Sequence, residues 1–115
     1  MNNEMMTRCC DMAMECQKCC LETIKFCLQK GGKYCDVSMI TKLMDCAQMC
    51  STTATFCASQ SDMCMSVCDS CAKVCEDCAK CCEMFSEPEM KRCAEMLRKC
   101  VEMCKKMGKK SAIPA

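Results

Sequence analysis

From Cys64 to Cys82 the chain reads CMSVCDSCAKVCEDCAKCC, and each position of the series 64, 68, 71, 75, 78, 82 is a cysteine. Alternating steps of four and three stay on one face of an α-helix. Six successive core positions therefore carry the same side chain, a thiol. Neighbouring stretches keep the phase. The series from 9 holds Cys9, Ala13, Cys16, Cys20, Thr23 and Cys27; that from 39 holds Met39, Leu43, Cys46, Cys50, Thr53 and Cys57; that from 90 holds Met90, Cys93, Leu97, Cys100, Cys104 and Met107. Sixteen of the twenty cysteines fall on these inward faces. Cys19 and Cys81 lie one step to the side, at positions a bundle core still uses, whereas Cys10 and Cys35 are peripheral.

Breaks separate the segments. Gly31-Gly32 follows a basic last turn, Asp36 is a good N-cap, and Ser59-Gln60-Ser61-Asp62 is a turn cluster without Gly or Pro. Ser86-Glu87-Pro88-Glu89 reads as a capping box with Ser86 at the N-cap, and Gly108 suits the residue after the last helix. Between the breaks good helix formers abound. The expected architecture is all-α, an antiparallel up-down-up-down four-helix bundle with a cysteine-lined core. It forms one domain over residues 1–115, with helices at about 3–30, 36–58, 62–85 and 87–107 and a fraying tail from Lys109 to Ala115.

The composition narrows the chemistry. The 115 residues include 20 cysteines and 15 methionines, no histidine and no tryptophan. Leu, Ile, Val and Phe number only fourteen, so either sulfur fills the core or there is none. Sixteen basic and fifteen acidic residues leave a net charge of +1, without the basic excess of a nucleic-acid binder. The lysines at 105, 106, 109 and 110 read as a solvated helix end. Missing histidine removes the commonest general base, so an enzyme is not expected. The start, Met1-Asn2-Asn3-Glu4-Met5-Met6-Thr7-Arg8, lacks a basic stretch followed by an apolar one, and no uncharged apolar run is long enough to span a membrane. A cytosolic location, where thiols stay reduced, is the expectation.

Thiols at this density form a disulfide framework or a metal array. A core built for packing alone would use larger side chains. Residues three or four apart on a helix converge, as in Cys16/Cys20, Cys46/Cys50, Cys64/Cys68, Cys71/Cys75, Cys78/Cys82 and Cys100/Cys104. Soft sulfur ligands select copper(I), zinc or iron–sulfur clusters. Copper(I) accepts two or three sulfurs and also suits thioethers, whereas structural zinc asks for four ligands, usually on turns. The spacing of Cys75, Cys78 and Cys81 matches an iron–sulfur loop, but the following Cys-Pro is missing. The candidate metal ligands are Cys9, Cys16, Cys19, Cys20, Cys27, Cys46, Cys50, Cys57, Cys64, Cys68, Cys71, Cys75, Cys78, Cys81, Cys82, Cys93, Cys100 and Cys104. A zinc or general thiol buffer is the alternative. A thiol redox enzyme is weaker, since no Cys-x-x-Cys stands out from its neighbours.

The run Cys64-x3-Cys68-x2-Cys71-Ala72-x2-Cys75-x2-Cys78-Ala79-x2-Cys82 resembles the third helix of the copper storage proteins. Asp45-Cys46-Ala47-x2-Cys50 and Cys93-Ala94-Glu95-x4-Cys100-x3-Cys104 resemble their second and fourth helices. The resemblance implies storage of many copper(I) ions on paired thiolates, frequently in a homotetramer, and a cytosolic location for members without a leader. It leaves the delivery partner unnamed. Relatives often carry histidines where copper enters near the start of the fourth helix, and tend to have another cysteine where Leu97 stands. Here the former stretch is Glu87-Pro88-Glu89-Met90. Methionines gather at the two ends, Met5, Met6, Met63 and Met107 at one and Met39, Met84 and Met90 at the other, and at one of these mouths they are expected to replace those histidines as weak first-contact ligands.

Overall fold

The computed structural model describes residues 3–111. Four helices, α1 (Asn3–Lys30), α2 (Val37–Ala58), α3 (Cys64–Cys82) and α4 (Pro88–Ser111), form an antiparallel bundle 49 × 21 × 21 Å in extent. Each helix packs on its chain neighbour and α4 closes the ring against α1, so all four seams face one interior. Every position on the four-three series is buried, and sixteen cysteines are among them. Leu43 and Leu97 supply the largest aliphatic side chains, and small Ala13, Ala72 and Ala79 let the helices approach. Thr23 and Thr53 are the buried polar side chains among the described residues. Each hydroxyl donates to the carbonyl four residues back, Cys19 and Met49, at 2.8 Å, so neither is orphaned.

The helix ends follow local chemistry. Both Gly31 and Gly32 take positive φ, 76° and 61°, and the Gly31 N–H donates to Cys27 O as the chain leaves α1. A short 3-10 turn, Gly32–Cys35, then leads to α2. Asp36 holds the N-cap position of α2, but its side chain makes no capping bond. The α2–α3 break is a Schellman motif built without glycine. Gln60 takes φ 56°, Ser61 N–H donates to Phe56 O, and Gln60 N–H donates to Cys57 O.

Four boundaries differ from the sequence expectation. α3 starts at Cys64 because the Ser61 hydroxyl accepts the Met63 N–H and holds 61–63 as a turn. It stops at Cys82 because Met84 and Phe85 donate three residues back, too tightly to continue an α-helix. α4 starts at Pro88, a residue suited to the first helical position, so Glu87 and not Ser86 occupies the N-cap place; the Lys91 N–H donates to Glu87 O at 3.0 Å. Nor does Gly108 end α4, which runs through it to Ser111. A Cβ there would lie 3.3 Å from Asp69 Oδ1, so this glycine serves close approach of α4 to α3. Residues 109–111, expected to fray, are helical, and 112–115 lie outside the described residues.

One end of the bundle carries a small aromatic cap. Tyr34, on the 3-10 turn, sits 4.5 Å from Phe85 and 6.2 Å from Phe26 between ring centroids. Its hydroxyl donates to the Glu87 carboxylate. Arg98 ties α4 to α3 through a two-pronged contact with Glu83 at 2.9 and 2.7 Å.

Candidate metal centre

The thiols stand in tiers along the bundle axis because the helices alternate direction and keep one phase. Nearest the α2–α3 turn, the sulfurs of Cys9, Cys57 and Cys68 lie within 4.8 Å of one another, with Cys64 Sγ 2.6 Å from Cys57 Sγ. Half-way along are two groups of four, Cys16/Cys46/Cys50/Cys75 and Cys50/Cys71/Cys75/Cys100, each within the same 4.8 Å limit. They share Cys50 and Cys75. Cys75 Sγ is 3.3 Å from Cys46, 3.8 Å from Cys50 and Cys71, and 3.9 Å from Cys100. Three helices thus supply each of these groups.

Closer to the aromatic cap, Cys20, Cys78, Cys82 and Cys93 interact with one another, and half-buried Cys19 reaches Cys93 from the side. Cys104 connects the first tier to the second through Cys9 and Cys100. Beneath the cap, Cys27 Sγ lies 3.8 Å from Met90 Sδ. Cys81 is half-buried beside the core and joins none of these groups. All twenty cysteines are free thiols.

With no buried Lys, Asp or Glu among the described residues to take their protons, the thiols share them. Neighbours pull some thiols well below the ordinary range: Cys104 acts most on Cys9, Cys100 on Cys16, Cys20 on Cys78, and Cys19 on Cys93. Their partners are pushed up, Cys46 chiefly by Cys16, and Cys75 and Cys104 chiefly by Cys100. Cys27, at the margin of this network, is pushed up to about 11 by burial and then by the charge of Cys35. A soft cation entering between two such sulfurs takes the place of the proton they share.

Several side chains matter beyond the cysteines of the inward faces. Met90 lies on the inward series, and its spacing alone does not separate a ligand from a gap-filler. Cys35, peripheral in the sequence, is half-buried and donates to Cys27 O at 3.1 Å. Its position just outside a helix left no periodicity to read. The end methionines also divide. Met6, Met107, Met39 and Met90 are buried plugs, while Met63 and Met84 are exposed.

The fold and the donor set define a class, a helical bundle whose thiol interior suits soft metal ions. A family model described as copper storage protein (Csp) matches residues 2–109, and the chain belongs to that family. The solved structure of the Nmul_A1745 protein from Nitrosospira multiformis is similar at 33% identity, with a TM-score of 0.88 over 93% of this chain and 97% of that one. Cu(I)-bound copper storage protein BsCsp3 has a TM-score of 0.83 at 24% identity, over 88% of this chain and 95% of that one. The apo form of copper storage protein 3 from Bacillus subtilis has a TM-score of 0.80 at 24% identity, over 88% and 96%. No curated protein matches the sequence significantly. None of the helices is long and apolar enough to cross a membrane, among the described residues.

Proposed function

We propose that this protein binds and stores many copper(I) ions on the thiolates of its interior. The observation that carries the reading is the overlap of the sulfur groups, since Cys50 and Cys75 belong to two sets of four at once. Bridging thiolates of that kind let neighbouring ions share ligands, so the tiers can fill as one cluster. The family membership supports the same reading. The proposed ligands are the inward thiols with Cys19 and Cys81 beside them. Each ion displaces a thiol proton, and uptake therefore releases acid and weakens as pH falls.

Charge separates copper(I) from the alternative metal. A group of four sulfurs within 4.8 Å also fits tetrahedral zinc, which is the observation favouring a zinc buffer. Four thiolates around a divalent ion leave two uncompensated negative charges. The interior holds no buried Lys or Arg to balance them, among the described residues. One monovalent copper per thiolate is neutral.

Anaerobic titration of the fully reduced protein with copper(I), against a chromophoric copper(I) chelator, tests the proposal. Capacity should approach about one ion per buried cysteine. Saturation at one or two ions refutes storage. Preferential retention of zinc against matched chelators favours the buffer.

A further inference from the structure

Loading needs a way in, and the inward methionines at both ends of the bundle are buried. They are Met6 and Met107 at one end, and Met39 and Met90 at the other, which also carries the Phe26, Tyr34 and Phe85 cluster. The α1–α4 seam differs. A cleft there is lined by Cys19, Thr23 and Phe26 of α1 with Glu89 and Arg92 of α4. A second cleft on the same seam is lined by Glu4, Met5 and Arg8 of α1 with Met103 and Lys106 of α4. Seven-residue steps, which return to one face, place Met12 between Met5 and Cys19, and Met96 between Glu89 and Met103. All five sulfur side chains, Met5, Met12, Cys19, Met96 and Met103, are half-buried against the core. The antiparallel register pairs Met5 with Met103 and Met12 with Met96 along this line.

We propose that this sulfur-lined α1–α4 seam is the loading path for copper(I), with the methionines as weak first ligands and Cys19 as the inlet to the core. The inference rests on the storage reading above and specifies how that store is filled. Thioethers bind copper(I) without losing a proton, so they capture and release it easily. Successive levels are roughly 10 Å apart along the axis, a gap that flexible methionine side chains narrow from both helices. Cys19 then joins outside to inside, because it is half-buried in the cleft and also interacts with buried Cys93. Around it the carboxylates of Glu22 and Glu89 outnumber the Arg92 guanidinium two to one, a balance that favours an arriving cation.

The transfer balances without oxidation. A copper(I)–thiolate donor gives its ion to Cys19: the donor Cu–S bond breaks, a Cu–Sγ bond forms, and the Cys19 proton goes to the released thiolate. In the second exchange the ion passes to the Cys93 thiolate: the Cu–Sγ bond to Cys19 breaks, one to Cys93 forms, and the freed Cys19 thiolate takes a proton from solvent. Copper stays monovalent throughout.

The test uses the full chain and copper(I)–glutathione as donor, following uptake by stopped flow and final capacity by titration. Met→Leu changes nearly conserve volume, so the quadruple variant Met5→Leu, Met12→Leu, Met96→Leu, Met103→Leu should keep the bundle. Its loading should slow about tenfold, corresponding to roughly 1.4 kcal/mol on the barrier, with capacity unchanged. The end variant Met39→Leu, Met107→Leu should load at the parent rate. If the quadruple variant fails to fold by circular dichroism, the pair Met12→Leu, Met96→Leu carries the same expectation. An unchanged rate overturns the seam, as does slowing by the end variant alone or a fall in capacity with the seam methionines. A parent protein saturating at one or two ions refutes storage itself, a separate outcome.

Discussion

Replacing Cys75 by serine is the sharpest probe of a shared-ligand cluster. Its sulfur lies within 3.9 Å of those of Cys46, Cys50, Cys71 and Cys100, on α2, α3 and α4, and belongs to both groups of four. Serine nearly keeps the volume but cannot serve as a soft ligand. Two groups lose a corner at once, so capacity should fall by about two ions, against about one for Cys64→Ser at the end of the array. Cys10→Ser, outside the tiers, should change nothing. The apo protein should lose about 1–3 kcal/mol, the cost of a buried hydroxyl among weak sulfur partners. At roughly 4 °C or more per kcal/mol for a chain of this size, that is a visible shift in Tm. Anaerobic titration reads the capacity and differential scanning calorimetry the stability. Equal losses for Cys75→Ser and Cys64→Ser would refute the shared corner and leave isolated helical pairs.

Two further outcomes follow from the same geometry. Cys27 stays protonated to about 11 in the fold, against 9.0 for an ordinary thiol, so unfolding releases its proton in between. Its contribution, about 2–3 kcal/mol, is complete below pH 9 and is lost as pH rises to about 11; urea unfolding of the reduced apo protein across that window should show a slope to which other raised thiols add, and Cys27→Ser should make it shallower. Leu97→Ala removes the largest buried aliphatic group of α4, and should cost the apo protein about 2–5 kcal/mol in chemical denaturation.

The four-helix architecture was legible because one residue type marked one face of each segment, and every position in phase is buried. Break positions were less so. The α2–α3 turn relies on Gln60 in a left-handed conformation that sequence habit reserves for glycine, while Gly108, a stop signal on paper, lies inside α4. The aromatic cap was not legible either, since Phe26, Tyr34 and Phe85 come from three separate elements. Methionine was the most ambiguous residue. Sequence placed first-contact thioethers at the bundle ends, yet four of those side chains are buried plugs and the half-buried ones run along the α1–α4 seam.

Periodicity by itself determined which face of each helix carries sulfur, because side-chain direction on a helix depends only on local dihedral angles. It also determined the chemistry of the interior, since thiols and thioethers prefer soft ions wherever they stand. Which thiols meet was decided by the tertiary structure. The sharing of Cys50 and Cys75, the reach of Cys19 to Cys93 and the contact of Cys27 with Met90 depend on how far each antiparallel helix slides and turns against the next. Those offsets come from the turns and from packing between helices, which no spacing within a single helix records.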